Sequence, residues 1–326
     1  MKIIYSQSYN AYFNIASEEY FLNNFDDDIF YLYQNSPSII VGRKQNTIAE
    51  INHEYVKKNQ IPVVRRLSGG GAVFHDIGNL NFCFIIRNQK KQESGFQKYT
   101  KPILDVLQTL GVNAVLEGRN DLTIDGKKFS GNAKYVKEND LLQHGTILYM
   151  SKLDDVAQAL NANPEKFNDK AVKSIKSRIT NVSNHMAQFI GISEFASIII
   201  KHVADMYDDA KYYELIDGDI IAIHKLVDEK YANWNWNYGK IFNYDFTKTI
   251  QTKGGSLQVS IAAKNNIIEK VIFYGDFFTI KDIDTYEQLF VKCPHDYDAI
   301  KNLLQNHPAN EYFENIDNDD ILKAFF

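Results

Sequence analysis

Short apolar runs, separated by polar and glycine-rich segments, recur along the first third of the chain. Residues 1–7, 29–33, 37–41, 61–64 and 80–86 are rich in isoleucine, valine, phenylalanine and tyrosine. Such β-branched and aromatic runs are typical of strands. The pattern therefore predicts a β-sheet that contains these segments.

Between and beyond these runs, apolar residues recur every three to four positions, as on one face of a helix. We expect one helix that is capped by Asn14 and runs to Leu22, and a short one, His53 to Lys58, that is capped by Asn52. Three further helices and one strand are predicted at residues 99–110, 152–160, 192–206 and 220–224, respectively.

An aromatic and polar stretch with weak periodicity, residues 231–239, marks a boundary in this pattern. Beyond it, two apolar runs form a hairpin around Asn265-Asn266, and helical patterns follow. We therefore predict a mixed α/β (α+β) fold. Mixed β-sheets flanked by helices form a large domain, residues 1–243, and a small α+β domain occupies residues 244–326.

Composition narrows the class of protein. The 326 residues carry a formal net charge of −5 with no basic block, so we expect no nucleic-acid partner. Two cysteines, Cys83 and Cys293, cannot supply a disulfide framework or a thiolate metal cluster. The first residues lack the apolar core of a signal peptide, and no run reaches membrane-spanning length. We expect a cytoplasmic protein without membrane contact.

The most informative segment is residues 65–76, Arg-Arg-Leu-Ser-Gly-Gly-Gly-Ala-Val-Phe-His-Asp. Three consecutive glycines allow positive φ and bring backbone N–H groups close to a ligand's oxygens. Two arginines on one side and His75 on the other indicate that the ligand is an anion. The alternative is a hairpin loop whose glycines serve tight turning alone.

A second loop begins at Gly42, where another apolar strand ends. Gln45 and Asn46 follow it closely. We expect this loop to open at the same end of the sheet as the three glycines, unless these polar residues only form a turn.

An Asp-Gly pair, residues 125–126, lies between two alternating runs and is a strong hairpin signal. Because side chains alternate along a strand, we expect Lys128 and Ser130 on one face and Lys127 and Phe129 on the other. Geometry leaves open which face holds a ligand, and both lysines can also be solvated residues of the hairpin.

Two later segments carry further candidate groups. His144-Gly145-Thr146 precedes an apolar strand, although a lone histidine is more often structural. A basic segment spans residues 170–182, and it lies near phosphates or an acceptor, or else forms a solvated loop. Its basic residues of interest are Lys170, Lys173, Lys176 and Arg178.

Together these segments resemble the lipoate–protein ligase family. The similarity rests on the glycine segment followed by Gly-Asn-Leu-Asn, Gly-x-x-Gln-Asn, Gly-Lys-Lys-x-Ser-Gly and His-Gly-Thr. The basic segment matches too, although Ala171 replaces the family's glycine. The resemblance implies an enzyme that uses ATP to activate lipoate or octanoate as an acyl-adenylate, with release of pyrophosphate. The acyl group then passes to a lysine of a carrier protein.

The resemblance also implies roles for individual residues. The family's functional lysine is the second basic residue of its hairpin motif, so Lys128 is implied as catalytic, and Asp121 is the nearest matched carboxylate for Mg²⁺. The implied ATP-binding residues are Arg66, Gly71, Ala72, Val73, Phe74 and Lys128. The implied lipoate-binding residues are Arg66, Ser68, Gly70, His75, Lys128, Ser130 and His144.

The implied acceptors are lipoyl domains of 2-oxoacid dehydrogenase E2 subunits and the glycine cleavage H protein, and we expect a monomer. The alternatives are an octanoyl or lipoyl transferase of the same fold, with or without a catalytic cysteine, and a non-catalytic binder of the carrier. Cys83 lies inside an apolar run, which disfavours thiol chemistry, and the intact loop and Lys128 disfavour a mere binder. Lys134-Tyr135 stands where some family members carry an arginine, so the preferred acyl chain stays open.

Overall fold

The computed structural model describes residues 1–88, 95–160, 177–239 and 244–326. Contacts divide the chain into two compact units. The first unit comprises Met1–Val41, Ile48–Arg65 and Ala72–Asn237, and the second comprises Gly42–Thr47, Arg66–Gly71 and Tyr238–Phe326. Two short loops from the first third of the chain thus group with the C-terminal residues.

The first unit contains an eight-stranded mixed sheet and a three-stranded sheet. The strands are β1 (Lys2–Tyr5), β2 (Ile29–Gln34), β3 (Ser38–Val41), β4 (Val63–Arg65), β5 (Val73–His75), β6 (Asn79–Ile86), β7 (Ala114–Glu117), β8 (Asp121–Ile124), β9 (Lys127–Lys137), β10 (Asp140–Leu148) and β11 (Lys211–Tyr212). The strand orders in the two sheets are β11-β1-β2-β6-β10-β9-β8-β7 and β4-β3-β5.

Helices cover both faces of the larger sheet. Helices Gln97–Thr109 and Ile192–Asp205 contribute to the hydrophobic core that contains Phe82 and Phe84. The opposite face carries helix Ala11–Asn24. The other helical segments of the first unit are Thr47–Glu50, His53–Asn59, Leu153–Ala159, Val182–His185, Asp217–Leu226, Val227–Tyr231 and Trp234–Tyr238. Two of them include one residue of the second unit, because Thr47 and Tyr238 are counted there.

The second unit has its own core around an antiparallel sheet. Its strands are β12 (Phe246–Thr252), β13 (Gly255–Lys264) and β14 (Ile267–Gly275), and β13 and β14 form the predicted hairpin at Asn265-Asn266. Both asparagines have positive φ, 50° and 60°, which this residue type tolerates well. Helical segments follow at Ile283–Phe290, Tyr297–Asn306, Ala309–Glu311 and Asn318–Phe325.

The mixed α+β class is confirmed, and two local predictions are wrong. The first helix is capped by Asn10, whose side chain accepts from the N–H groups of Tyr12 and Phe13. Asn14 lies inside that helix, where its side chain is buried and binds Asn35. The apolar run at residues 220–224, predicted as a strand, lies in helix Asp217–Leu226. The prediction failed because a short apolar run does not by itself distinguish a strand from a helix. No helix in the described ranges is long and apolar enough to span a bilayer.

Candidate active site

A β-bulge at Phe129 sets the direction of the Lys128 side chain. Thr123 of β8 pairs with Lys128, whereas the preceding residue, Leu122, pairs with Ser130. Phe129 is therefore the extra residue of β9 and has no partner of its own in β8. Bulges of this kind redirect the side chains beside them.

The bulge places Lys128 on the face of the sheet that carries Asp121 and Gly131. Its Nζ lies 2.7 Å from Oδ1 of Asp121, and a Cβ atom added to Gly131 would lie 3.1 Å from the same Nζ. The prediction that Lys128 and Ser130 share a face is wrong, because strict alternation fails at a bulge. The Ser130 hydroxyl accepts a hydrogen bond from Nδ2 of Asn132, 3.2 Å away, on the opposite face.

Residues 178–181, called the strap below, complete the edge of β9 beside Lys128. The N–H of Lys128 donates to the carbonyl of Arg178 at 2.8 Å, and its carbonyl accepts from the N–H of Thr180 at 2.9 Å. The side chain of Asn181 anchors the strap through two hydrogen bonds to the backbone of Ser151. The strap therefore supports Lys128 through backbone groups.

The charge pattern had suggested a different role for this segment. Arg178 is exposed, and its carbonyl, not its guanidinium, contacts Lys128. Lys170, Lys173 and Lys176 lie outside the described residues. Sequence reasoning gave Thr180 no role of its own, because any residue except proline can donate the main-chain hydrogen bond that Thr180 makes to Lys128.

His144 lies on the same face of the sheet as helix Ala11–Asn24 and binds that helix. Its Nδ1 lies 2.7 Å from Oε2 of Glu18, whose Oε1 accepts from the hydroxyl of Tyr33 at 3.0 Å. All three side chains are buried. Glu18 was missed in the sequence, although its spacing from Ile15 and Leu22 puts an acidic residue on the buried face of a helix. That unusual placement is the signal that could have identified it.

In the smaller sheet of the first unit, His75 is hydrogen-bonded to a side chain from another segment of the chain. Its Nδ1 lies 3.0 Å from Nδ2 of Asn35. An amide nitrogen can only donate, so this contact is a hydrogen bond when Nδ1 carries no proton. Val73 and Phe74 precede His75 in β5, which pairs with β3. Ala72 is half-buried at the start of this segment.

The two candidate loops leave the same edge of that smaller sheet, as predicted. Strands β3 and β4 are parallel, and Val41 pairs with Arg65 at their ends. Residues 42–47 follow the first strand and residues 66–71 follow the second.

Within the second unit, Arg66 organises the glycine loop. Its Nε donates to Oγ of Ser68 at 3.0 Å, and one terminal nitrogen donates to the carbonyls of Gly69 and Gly71 at 2.7 and 2.8 Å. Gly70 has φ of +86°, a conformation that favours glycine. The loop carbonyls are thus turned toward the guanidinium.

The two loops pack directly against each other in the second unit. The N–H of Arg43 donates to the carbonyl of Ser68 at 2.8 Å, and a Cβ atom on Gly42 would lie only 2.0 Å from the carbonyl oxygen of Gly70. A Cβ atom on Gly69 would lie 2.2 Å from the carbonyl oxygen of Phe277. Glycine is therefore required here by close backbone approach.

An ion cluster around the buried ammonium of Lys44 ties the first loop to helix Ile283–Phe290. The ammonium of Lys44 lies 2.6 Å from Oδ1 of Asp284 and 2.9 Å from Oε1 of Glu287, and Arg43 lies 2.6 Å from Oδ2 of Asp284. Burial raises the pKa of Asp284, but Lys44 and Arg43 outweigh it, so that pKa is lowered. Burial dominates at Glu287, whose pKa is raised although Lys44 opposes the shift. Neither acid was singled out in the sequence.

Cys83 lies in the core of the first unit. It is fully buried, and burial followed by the charge of Glu18 raises the pKa of its thiol well above the ordinary value. A nucleophilic cysteine needs the opposite shift and solvent access. This environment does not suit the thiol acyl-transfer alternative.

We therefore expect Cys83→Ser to retain most of the activity of the unsubstituted protein, with some loss of stability from placing a hydroxyl in the core. Turnover and a thermal melt of the same preparation check this. A folded but inactive Cys83→Ser protein would contradict the expectation and restore the thiol alternative.

Comparisons with known proteins match two successive parts of the chain to family models. Residues 10–204 match the family model of the lipoyl protein ligase A/B catalytic domain, and residues 242–325 match that of the bacterial lipoate protein ligase C-terminus. The chain is 41% identical to lipoate–protein ligase 1 of Staphylococcus aureus over 312 residues, which cover 95% of each protein. It is 39% identical to the lipoate-protein ligase LplJ of Bacillus subtilis over 317 residues, 96% of each.

A solved structure shows the same similarity along the whole chain. Plasmodium falciparum LipL1, crystallised in complex with lipoate, superposes with a TM-score of 0.82 at 25% identity. The superposition covers 99% of this chain and 97% of that one.

Proposed function

Because this chain belongs to the lipoate–protein ligase family, whose members are amide-forming ligases, we propose the following reaction for its site. The carboxylate of lipoate or octanoate attacks the α-phosphorus of ATP, so that an acyl-adenylate forms and pyrophosphate leaves. The amine of an acceptor lysine then attacks the acyl carbon. An amide forms, AMP leaves, and the amine gives up a proton.

The observation that carries this proposal is the placement of Lys128. A bulge turns its ammonium toward Asp121 and over a glycine, so no side chain at position 131 fills the space beside it. An ammonium fixed in this way can neutralise a carboxylate oxygen and an α-phosphate oxygen together while charge shifts between them. The catalysis is by position and charge, and it needs no protein nucleophile.

The glycine loop supplies the second part of the proposal. Arg66 binds the carbonyls of Gly69 and Gly71, and successive backbone N–H groups of such a loop are the groups that would bind anionic oxygens. We propose that Gly71, Ala72, Val73 and Phe74 contact ATP phosphates, and that Arg66 acts chiefly by shaping this loop. The lipoate-binding roles of Arg66, Ser68, Gly70, His75, Lys128, Ser130 and His144 remain part of the proposal.

Mg²⁺ is the metal that such a reaction requires to offset the charge of pyrophosphate. The described residues contain no group of three His, Cys, Asp or Glu side chains arranged to hold a metal. Mg²⁺ bound with a nucleotide usually needs only one or two carboxylates, because phosphates and water complete its shell. Asp121 fits such a site with one oxygen, while Lys128 occupies the other.

The remaining parts of the proposal concern partners and organisation. We propose that the acceptors are lipoyl domains of 2-oxoacid dehydrogenase E2 subunits and the glycine cleavage H protein. The protein acts as a monomer in the cytoplasm. Residues 1–243 form the catalytic domain, and residues 244–326 form the accessory one.

Pyrophosphate release tests the reaction directly. The protein is incubated with ATP and lipoate, first alone and then with a lipoyl carrier domain. Without the carrier, we expect release of up to about one pyrophosphate per enzyme molecule. With the carrier, we expect pyrophosphate release to continue over many turnovers. Acylation of the carrier by octanoyl-carrier protein without ATP would instead support the transferase alternative.

A further inference from the structure

The strap is the part of the first unit that holds the backbone of Lys128 where the sheet opens. Strand β9 pairs with β10 only as far as Asn132 opposite Gly145. Toward its start, β9 has β8 on one side, and on the other the strap pairs with Lys128 through Ile179. Two main-chain hydrogen bonds form this contact.

A histidine supports the strap from behind. Lys128 and Ile179 are bridge partners, so the next side chain, that of Thr180, lies on the opposite face from the Lys128 ammonium. There the Thr180 hydroxyl lies 2.8 Å from Nε2 of His185. The other ring nitrogen, Nδ1, lies 3.7 Å from Oδ2 of Asp125.

Asp125 belongs to the turn that leads into β9, in which Lys128 is the second residue. It has φ of 51° and is followed by Gly126 with φ of 70°, the two-residue turn of a tight hairpin. His185 ends the helical segment Val182–His185, whose first residue is fully buried in the main core. The imidazole therefore links three elements: the hairpin turn, the strap and a segment anchored in the core.

We propose that His185, through Thr180 and Asp125, is a positioning residue that fixes Lys128 for acyl-adenylate formation. The proposal rests on the role of Lys128 proposed above. It assigns no proton transfer to His185, because Thr180 and His185 lie on the face away from the Lys128 ammonium. A hairpin end held by few hydrogen bonds moves easily, and a displacement of about 1 Å in a reacting group can cost about a hundredfold in rate.

The experiment measures pyrophosphate release in single turnover, as a function of lipoate and ATP concentration, for paired variants. Thr180→Val removes the hydroxyl at nearly constant volume, and Thr180→Ser restores it. His185→Ala removes the partner. His202→Ala is the matched control, because His202 also stands near a carboxylate, 3.9 Å from Asp105, but on helix Ile192–Asp205.

We expect Thr180→Val and His185→Ala each to lower the maximal rate about tenfold or more with little change in half-saturating substrate concentrations. Thr180→Ser and His202→Ala should match the wild type. The double variant Thr180→Val/His185→Ala should be no slower than His185→Ala, because that single variant already removes the interaction that Thr180→Val breaks. This pattern separates positioning from a general loss of stability.

Three results would overturn the proposal: an unchanged rate in Thr180→Val, an equal loss in Thr180→Ser and Thr180→Val, or additive losses in the double variant. If Thr180→Val does not fold, His185→Ala alone decides, since an unchanged rate there also overturns the proposal. The wild type and Lys128→Ala are measured beside them. A wild type that releases no pyrophosphate, or an active Lys128→Ala, refutes the proposed function itself, whereas an inactive Lys128→Ala beside unaffected Thr180 and His185 variants refutes the positioning role alone.

Discussion

Lys128→Ala is expected to abolish acyl-adenylate formation, with a loss on the order of a hundredfold or more in rate, because it removes a charged contact made in the transition state. The measurement is pyrophosphate release with ATP and lipoate, without any carrier. Binding of ATP should change less than the rate, since the proposed contacts of Gly71, Ala72, Val73 and Phe74 with the phosphates do not use this side chain. The variant should stay folded, because the ion pair with Asp121 is partly exposed.

Lys127→Ala is the matched control for this prediction. Lys127 has the same charge, lies in the same strand and is exposed. The bulge follows Lys128, so the two lysines point to opposite faces and only Lys128 reaches Asp121. Lys127→Ala should therefore keep nearly full activity. Equal, small losses in both variants would show that neither lysine contacts the reacting atoms.

Lys128 also shows how far sequence reasoning reached. The Asp-Gly turn and the alternating runs predicted the hairpin correctly, and the structure confirms it. Alternation then placed Ser130 beside Lys128, which is wrong. A single extra residue, Phe129, shifts the register of pairing. The sequence does not reveal this bulge, because a phenylalanine is compatible with a regular strand as well as with a bulged one.

Helix starts show a similar limit. Asn10 and Asn14 both precede apolar residues at helical spacing, and either could cap by its own chemistry. The choice depends on Asn14 being drawn into a buried network with Asn35 and Tyr31, residues about twenty positions away. Local preference does not contain that information.

The ends of strands were more informative than their faces. Gly42 and the glycines at positions 69–71 were both placed at strand ends, and parallel pairing of Val41 with Arg65 confirms that the loops start at one edge. The carboxylates that bind the first of these loops could not be predicted from the sequence. Asp284 and Glu287 lie about 240 residues from Lys44, and in the sequence they resemble ordinary charged positions of an amphipathic helix.

Glu287→Ala is expected to destabilise the second unit strongly. It would leave the buried ammonium of Lys44 with Asp284 as its remaining carboxylate partner, and Asp284 is shared with Arg43. Breaking a buried pair costs about 3 kcal/mol or more, because one charge stays buried without full compensation. Glu287 also accepts a hydrogen bond from the backbone N–H of Phe273, and the substitution removes this bond as well.

The effect should extend to nucleotide binding. The loop that contains Lys44 is bonded to the glycine loop by the Arg43 N–H, so a displaced Lys44 shifts the backbone next to Ser68. We expect the half-saturating ATP concentration to rise about tenfold, which corresponds to about 1.4 kcal/mol. Half-saturation by lipoate should change less. Urea denaturation and ATP titration of pyrophosphate release measure the two effects.

Two comparisons make this prediction specific. Glu311→Ala breaks the exposed pair with Lys281 in the same unit and should leave the free energy of unfolding nearly unchanged. Lys44→Met combined with Glu287→Leu removes both buried charges, and apolar replacement of a whole buried pair is often neutral. We therefore expect the double variant to recover most of the stability lost in Glu287→Ala. If it also recovers ATP binding, the cluster acts by holding the loop in place, whereas a stable double variant that still binds ATP weakly would show that the Lys44 charge itself is needed.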